Sequence, residues 1–201
     1  MDVRREMPMH PTVDALRVAH DPASYYRPWA QRIDALPARQ RSALNRWLVS
    51  RYALPPSSSI ARGQQPLSMR LISGWRRLPA TAWLMACAKQ RSRLMGSRLL
   101  FSQPPLVHAF LRLRFDETEL PPCSSPLVAD TLLAWGAEHL RTGLRGHIPD
   151  WLGDRMNLCF AGLPRPLHPA PSGPDKFDMT CFWSAWNHAA DLPGTAAGFC
   201  R

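Results

Sequence analysis

The chain has 201 residues, and 45% of them are apolar, enough to bury the core of one or two modest domains. Its 25 Lys and Arg outweigh 15 Asp and Glu, for a formal net charge of +10 at pH 7, which calls for an anionic partner. No window approaches about 18 consecutive apolar residues, and the N-terminus lacks the apolar run and cleavage site of an export signal, so a membrane span and a secreted protein are both excluded as readings.

In chain order, the first stretch with structural character is "DPASYYRPW" at 21–29, where Asp21 is placed to N-cap a short helix opened by Pro22. A stronger helix follows in "LPARQRSALNRWLVSRYAL". There Leu44, Trp47, Leu48 and Tyr52 recur on one side, predicting a buried stripe, and Arg39 and Arg46 fall on the other. Residues 55–66, "PPSSSIARGQQP", read as a variable loop. A helical pair comes next, "PLSMRLISGWRRL" and "PATAWLMACAKQRSRLMG", separated at Pro79; Trp83, Cys87 and Leu94 share a face of the second, with Lys89, Arg91 and Arg93 around its end.

"LVHAFLRLRFDETEL" alternates from Ala109 to Phe115 in a way that fits strand or helix, and its helical neighbours favour helix. "SSPLVADTLLAWGAEHLRTGLRG" predicts a long helix with Ser125 as N-cap and Pro126 in the first turn, bringing Val128, Leu132, Trp135 and His139 into register. "IPDWLGDRMNLCF" adds a short return. The expected architecture is mainly α, an irregular multi-helix bundle with Pro-rich loops and room for one short extended segment. It divides into a helical domain over 1–160, a Pro-rich linker over 161–175 and a C-terminal aromatic helix or tail over 176–201.

Charge is unevenly spread along this plan. Residues 1–100 hold 17 basic and 5 acidic side chains, residues 101–201 hold 8 and 10. No acidic residue stands between Asp34 and Asp116, an interval with fourteen basic residues, thirteen of them arginine. Arg39, Arg46, Arg76, Arg77, Lys89, Arg91 and Arg93 are therefore candidates for a docking surface. The interleaving of arginine with aromatics in "SGWRRLPATAW" and "NRWLVSRY" also fits a nucleic-acid platform over residues 35–115, but helical spacing favours tryptophans in a core and arginines on its rim.

Motifs that carry catalysis are missing: the chain has no P-loop, no dinucleotide fingerprint, no nucleophile elbow and no H-E-x-x-H. Glu138 and His139 are adjacent on a helix and so point about 100° apart, which prevents them from acting on one atom. Cys159, His168, Cys181 and His188 have spacings that match no compact zinc module. The five cysteines, Cys87, Cys123, Cys159, Cys181 and Cys200, are odd in number and contain no C-x-x-C, which predicts free thiols, with Cys87 and Cys159 as small core side chains.

The segment "DPASYYRPW", followed by a helix ending "LNRWLVSRYALPP", resembles the opening of the bacterial type III secretion sorting-platform adaptors of the SctK family, among them YscK, PscK and the Hrp-type proteins. Pro22, Ala23 and Tyr25 match the family's Pro-Ala-x-Tyr element, Trp47, Tyr52 and Leu54 its following helix, and Trp135, Trp151 and Arg155 the later "LLAWGAEHL" and "IPDWLGDRMNLCF" runs. The resemblance covers about residues 20–160. It implies a helical, non-enzymatic adaptor at the cytoplasmic face of the inner membrane, joining the inner-membrane ring protein, through its cytoplasmic forkhead-associated domain, to the pod (C-ring) protein. No cofactor, metal or small-molecule substrate is expected, membrane association is peripheral through the ring protein, and a nucleic-acid-binding protein using the Arg-rich region 35–115 is the alternative reading.

Overall fold

The structure, a computed structural model, describes residues 13–29, 32–55, 65–115, 127–164 and 177–192. The described residues form helices α1 (Val13–His20), α2 (Ala38–Arg51), α3 (Pro66–Ser73), α4 (Leu78–Lys89) and α5 (Arg91–Met95). They continue with α6 (Arg98–Phe101), α7 (Pro105–Arg112), α8 (Ala129–Leu144), α9 (Asp150–Cys159) and α10 (Met179–His188). Short 3₁₀ turns at Pro22–Ser24, Arg27–Trp29, Ile33–Ala35 and Trp75–Arg77 join some of them, and no strand occurs among the described residues. Proline sets several starts: Pro66, Pro79 and Pro105 stand in the first turns of α3, α4 and α7, where the missing N–H costs nothing.

The sequence of α4, "LPATAWLMACAK", is apolar on every side, and a helix of that kind has to be enclosed. Every residue of it except Pro79 is buried. On one side lies α8, and the two backbones meet closely at Gly136, where a Cβ would overlap the carbonyl oxygen of Ala82 and stand 3.0 Å from the Ala86 Cβ. On another side lies α10, whose Trp186 sits against the bare backbone of Gly74. A single core runs from Ala15 to Leu192, with Trp83, Phe110, Phe182, Leu84, Leu132 and Leu140 fully enclosed. The aromatic segment after the Pro-rich stretch therefore shares the core of the first 160 residues; residues 165–176 lie outside the described residues.

Three local expectations need correction. The "DPASYY" segment forms tight 3₁₀ turns, and the Asp21 carboxylate turns away from the backbone to hold α2. The long helix α8 begins at Ala129, with Val128 before it in extended conformation; Ser125 and Pro126, expected to start it, lie outside the described residues. The stripe on α2 is largely uncovered: Leu48 is buried and Leu44 half-buried, but Trp47 is 50% and Tyr52 41% exposed. The periodicity is present, but among the described residues α2 packs chiefly on the Pro22–Ser24 turn, and Trp47 and Tyr52 stay largely in solvent. The ambiguous segment resolves as helix α7 up to Arg112.

Candidate docking surface

Polar bonds fasten α2 to the body. Arg41 grips the Asp21 carboxylate with two nitrogens, Nε at 3.1 Å from Oδ1 and Nη2 on Oδ2. Asn45 Nδ2 donates to the same Oδ1 at 2.9 Å, and its own Oδ1 accepts from the Ala23 N–H at 2.8 Å. Burial alone would raise the Asp21 carboxyl, but the Arg41 and Asn45 hydrogen bonds and the Arg41 charge outweigh it and hold the group below the usual carboxylate range. Ala23 itself is fully buried, leaving no room for a larger side chain, and the Tyr25 hydroxyl donates to the Val18 carbonyl at 2.7 Å while its ring meets Trp75 edge-on at 5.5 Å.

The far end of α2 closes in a Schellman turn. Ala53 takes a left-handed conformation, φ 47°, the Leu54 N–H donates to the Val49 carbonyl at 3.0 Å, and the Ala53 N–H to the Ser50 carbonyl at 3.3 Å. Leu54, the residue after the left-handed position, is buried in the core, which accounts for the leucine of the aromatic-x-Leu pattern at residues 52–54. Tyr52 leans on Tyr26, ring edge to ring at 6.1 Å, with the two hydroxyls 3.4 Å apart.

This mounting leaves an outward surface on α2. Trp47, Val49 and Tyr52 are exposed, together with Arg39, Arg46 and Arg51, and the helix contains no acidic residue. The other candidate cations do not join it in one patch. Arg76 and Arg77 line a depression between α1 and α3 with Arg17, Asp14 and Tyr25, and Arg77 lies over the Trp186 ring at 5.9 Å. Arg91 and Arg93 belong to α5, half-buried, with Arg93 Nη1 3.4 Å from Gln90 Oε1.

Lys89 is a correction: it is 6% exposed, and its Nζ donates to Asp178 Oδ2 at 2.7 Å. Asp178 also accepts the Cys181 N–H at 2.8 Å and so caps α10. Burial raises the Asp178 carboxyl, and these two hydrogen bonds outweigh that and bring it below its ordinary range. Beside the pair, His139 stacks on Trp135 at 5.2 Å and touches Phe177; burial first, and then the Lys89 charge, push its pKa down to about 4. His139 is neutral core, and Glu138 pairs instead with Arg141. Cys87, Cys159 and Cys181 are free and buried, with the Cys181 thiol pushed up to about 12, first of all by burial. Among the described residues no three His, Cys, Asp or Glu side chains gather as metal ligands.

Residues 15–191 match the model of the family described as bacterial type III secretion apparatus protein (OrgA_MxiK). The chain belongs to this family. It is similar to the oxygen-regulated invasion protein OrgA of Salmonella typhimurium strains 14028s, SL1344 and LT2, 28% identical over 188 residues, which span 91% of this chain and 90% of each relative. No solved structure matches the chain.

For a secretion apparatus protein of this family, the nine motif residues separate by burial. Pro22, Ala23, Tyr25, Leu54, Trp135, Trp151 and Arg155 are buried and build the scaffold. Arg155 is the clearest case. Its guanidinium, 2% exposed, donates to the Ala19 carbonyl at 3.1 Å and the Pro55 carbonyl at 3.0 Å and lies 5.5 Å from the Trp151 ring, tying α9 to the ends of α1 and α2. Only Trp47 and Tyr52 face outward. Sequence reading missed the Asp21–Arg41–Asn45 clamp, whose members are 20 and 24 residues apart and whose one local signal is Asp21 just before a proline.

Proposed function

We propose that this component of the type III secretion apparatus is a non-enzymatic adaptor at the cytoplasmic face of the inner membrane, joining the cytoplasmic domain of the inner-membrane ring protein to the pod protein. One observation carries the reading: α2 is held from behind by the Asp21 clamp and offers a half-exposed tryptophan among arginines with no acidic neighbour on its own helix. Tryptophan and arginine are the side chains that most often dominate the energy of a protein interface. No described helix is long and apolar enough to cross a membrane, so attachment through the ring protein accounts for the location.

Burial argues against the nucleic-acid alternative. Trp75 is 6% exposed and Trp83 fully buried, so neither ring is free to stack on a base, and the platform shrinks to Trp47 and Tyr52. Mild co-purification from cells should recover both the ring protein and the pod protein; recovery of neither overturns the adaptor reading. Reversing Arg39 and Arg46 to Glu should slow association and alter its salt dependence with little change in melting temperature, because both side chains are exposed. Unchanged partner affinity in that folded variant would remove α2 from the interface.

A further inference from the structure

Beyond α2, the most exposed large apolar side chain among the described residues is Phe101, at 83%, and Met95 on the neighbouring helix α5 is 55% exposed; Val13, at 78%, stands apart on α1. Phe101 and Met95 are each paired with an arginine on their own helical turn. Arg91 precedes Met95 by four residues and Arg98 precedes Phe101 by three, spacings that place both members of each pair on one face. The inward positions are taken by Leu94 and Leu100, 0% and 7% exposed, so the arginine–methionine and arginine–phenylalanine pairs face away from the core. The corner lies within the acid-free interval between Asp34 and Asp116.

Its position matters as much as its composition. Tyr25 against Trp75 brings the α2 clamp to the start of α4, whereas α5 and α6 follow directly from its end. Twelve residues of α helix span about 18 Å. The segment that holds α2 thus adjoins one end of the most deeply buried helix, and the α5–α6 corner adjoins the opposite end.

We infer that the α5–α6 corner is a second docking interface, independent of α2, for a folded protein domain that offers an apolar pocket edged with Asp and Glu. The inference rests on the adaptor reading and adds to it where the second partner sits and what chemistry its surface carries. An apolar pocket encloses a projecting phenylalanine on all sides, and an acidic edge answers the exposed Arg98 and the half-buried Arg91. A lipid surface is the weaker fit, because two apolar side chains bury too little area to hold a protein on it.

The experiment measures binding of the full chain to the purified cytoplasmic domain of the ring protein and, separately, to the purified pod protein. It compares Phe101→Ser with Met95→Ser, Arg98→Glu, and Trp47→Ser with Arg46→Glu. The corner variants should lose at least tenfold in affinity for one partner and stay within twofold for the other; the α2 variant should do the reverse. Corner variants within twofold for both partners overturn the inference, as does loss of the same partner by both sets. Wild-type protein that binds neither partner overturns the adaptor reading, and the inference with it. Wild-type binding to phosphatidylglycerol vesicles that the Phe101 variant abolishes, with both protein affinities intact, overturns it in favour of a lipid surface.

Discussion

Replacing Gly136 and Gly153 by alanine adds the same methyl group to the interior of a helix, and the intrinsic gain in each case is about 1 kcal/mol. The surroundings differ. A Cβ on Gly153 of α9 meets nothing within 4 Å, so Gly153→Ala should keep most of that gain, about 0.5–1 kcal/mol. On Gly136 the same Cβ overlaps the Ala82 carbonyl oxygen and crowds Ala86. The obstacle is backbone, which cannot rotate aside, and α4 cannot retreat because α10 and α7 pack against it. Overpacking of this kind costs about 1–3 kcal/mol, and more where two backbones must separate, so Gly136→Ala should be destabilising by about 1–3 kcal/mol after the helix gain is deducted. For a chain of this size one kcal/mol moves the melting temperature by about 2–4 °C. Thermal melts followed by circular dichroism should show Gly153→Ala rising by about 1–4 °C and Gly136→Ala falling by about 2–12 °C. A Gly136→Ala protein melting at or above the wild type would refute the close crossing of α4 and α8.

Two tryptophans should part in the same way: Trp83→Ala, at a fully enclosed site, should cost about 3–5 kcal/mol in denaturant unfolding. Trp47→Ala, with half its surface already in water, should cost at most about 1–2 kcal/mol and act mainly on binding. Arg155→Lys keeps the charge but cannot span the Ala19 and Pro55 carbonyls with one ammonium, so unfolding free energy should drop by about 2–4 kcal/mol; a drop below about 0.5 kcal/mol would show that the fork is dispensable. In acid, His139 should contribute a loss of stability between about pH 6.5 and 4. Its pKa is depressed in the folded state, so the unfolded chain takes up the proton first and gains as pH falls through that window. Asp178 faces it with a lowered pKa and loses its contribution only below the ordinary carboxylate range, so His139→Gln should flatten the upper window and leave the lower one.

By itself the sequence determined the helical class, the starts of the segments at Pro66 and Pro79, Trp83 and Cys87 as an inward face of α4, and the family from short aromatic motifs. These are local or compositional properties, and 3.6-residue periodicity and a fixed proline φ act within a few residues. Tertiary structure alone decided what covers what. The Leu44–Trp47–Leu48–Tyr52 stripe is a real face of α2, but periodicity reports a face and not a neighbour, and here only part of it meets the body. Lys89 reads as one more cation at a helix end until Asp178, 89 residues later, arrives beside it and draws it into the core. Trp135 and Arg155 are only points of a motif in one dimension, and tertiary structure makes them scaffold, because burial depends on contacts that join distant parts of the chain, such as the 136 residues between Arg155 and Ala19.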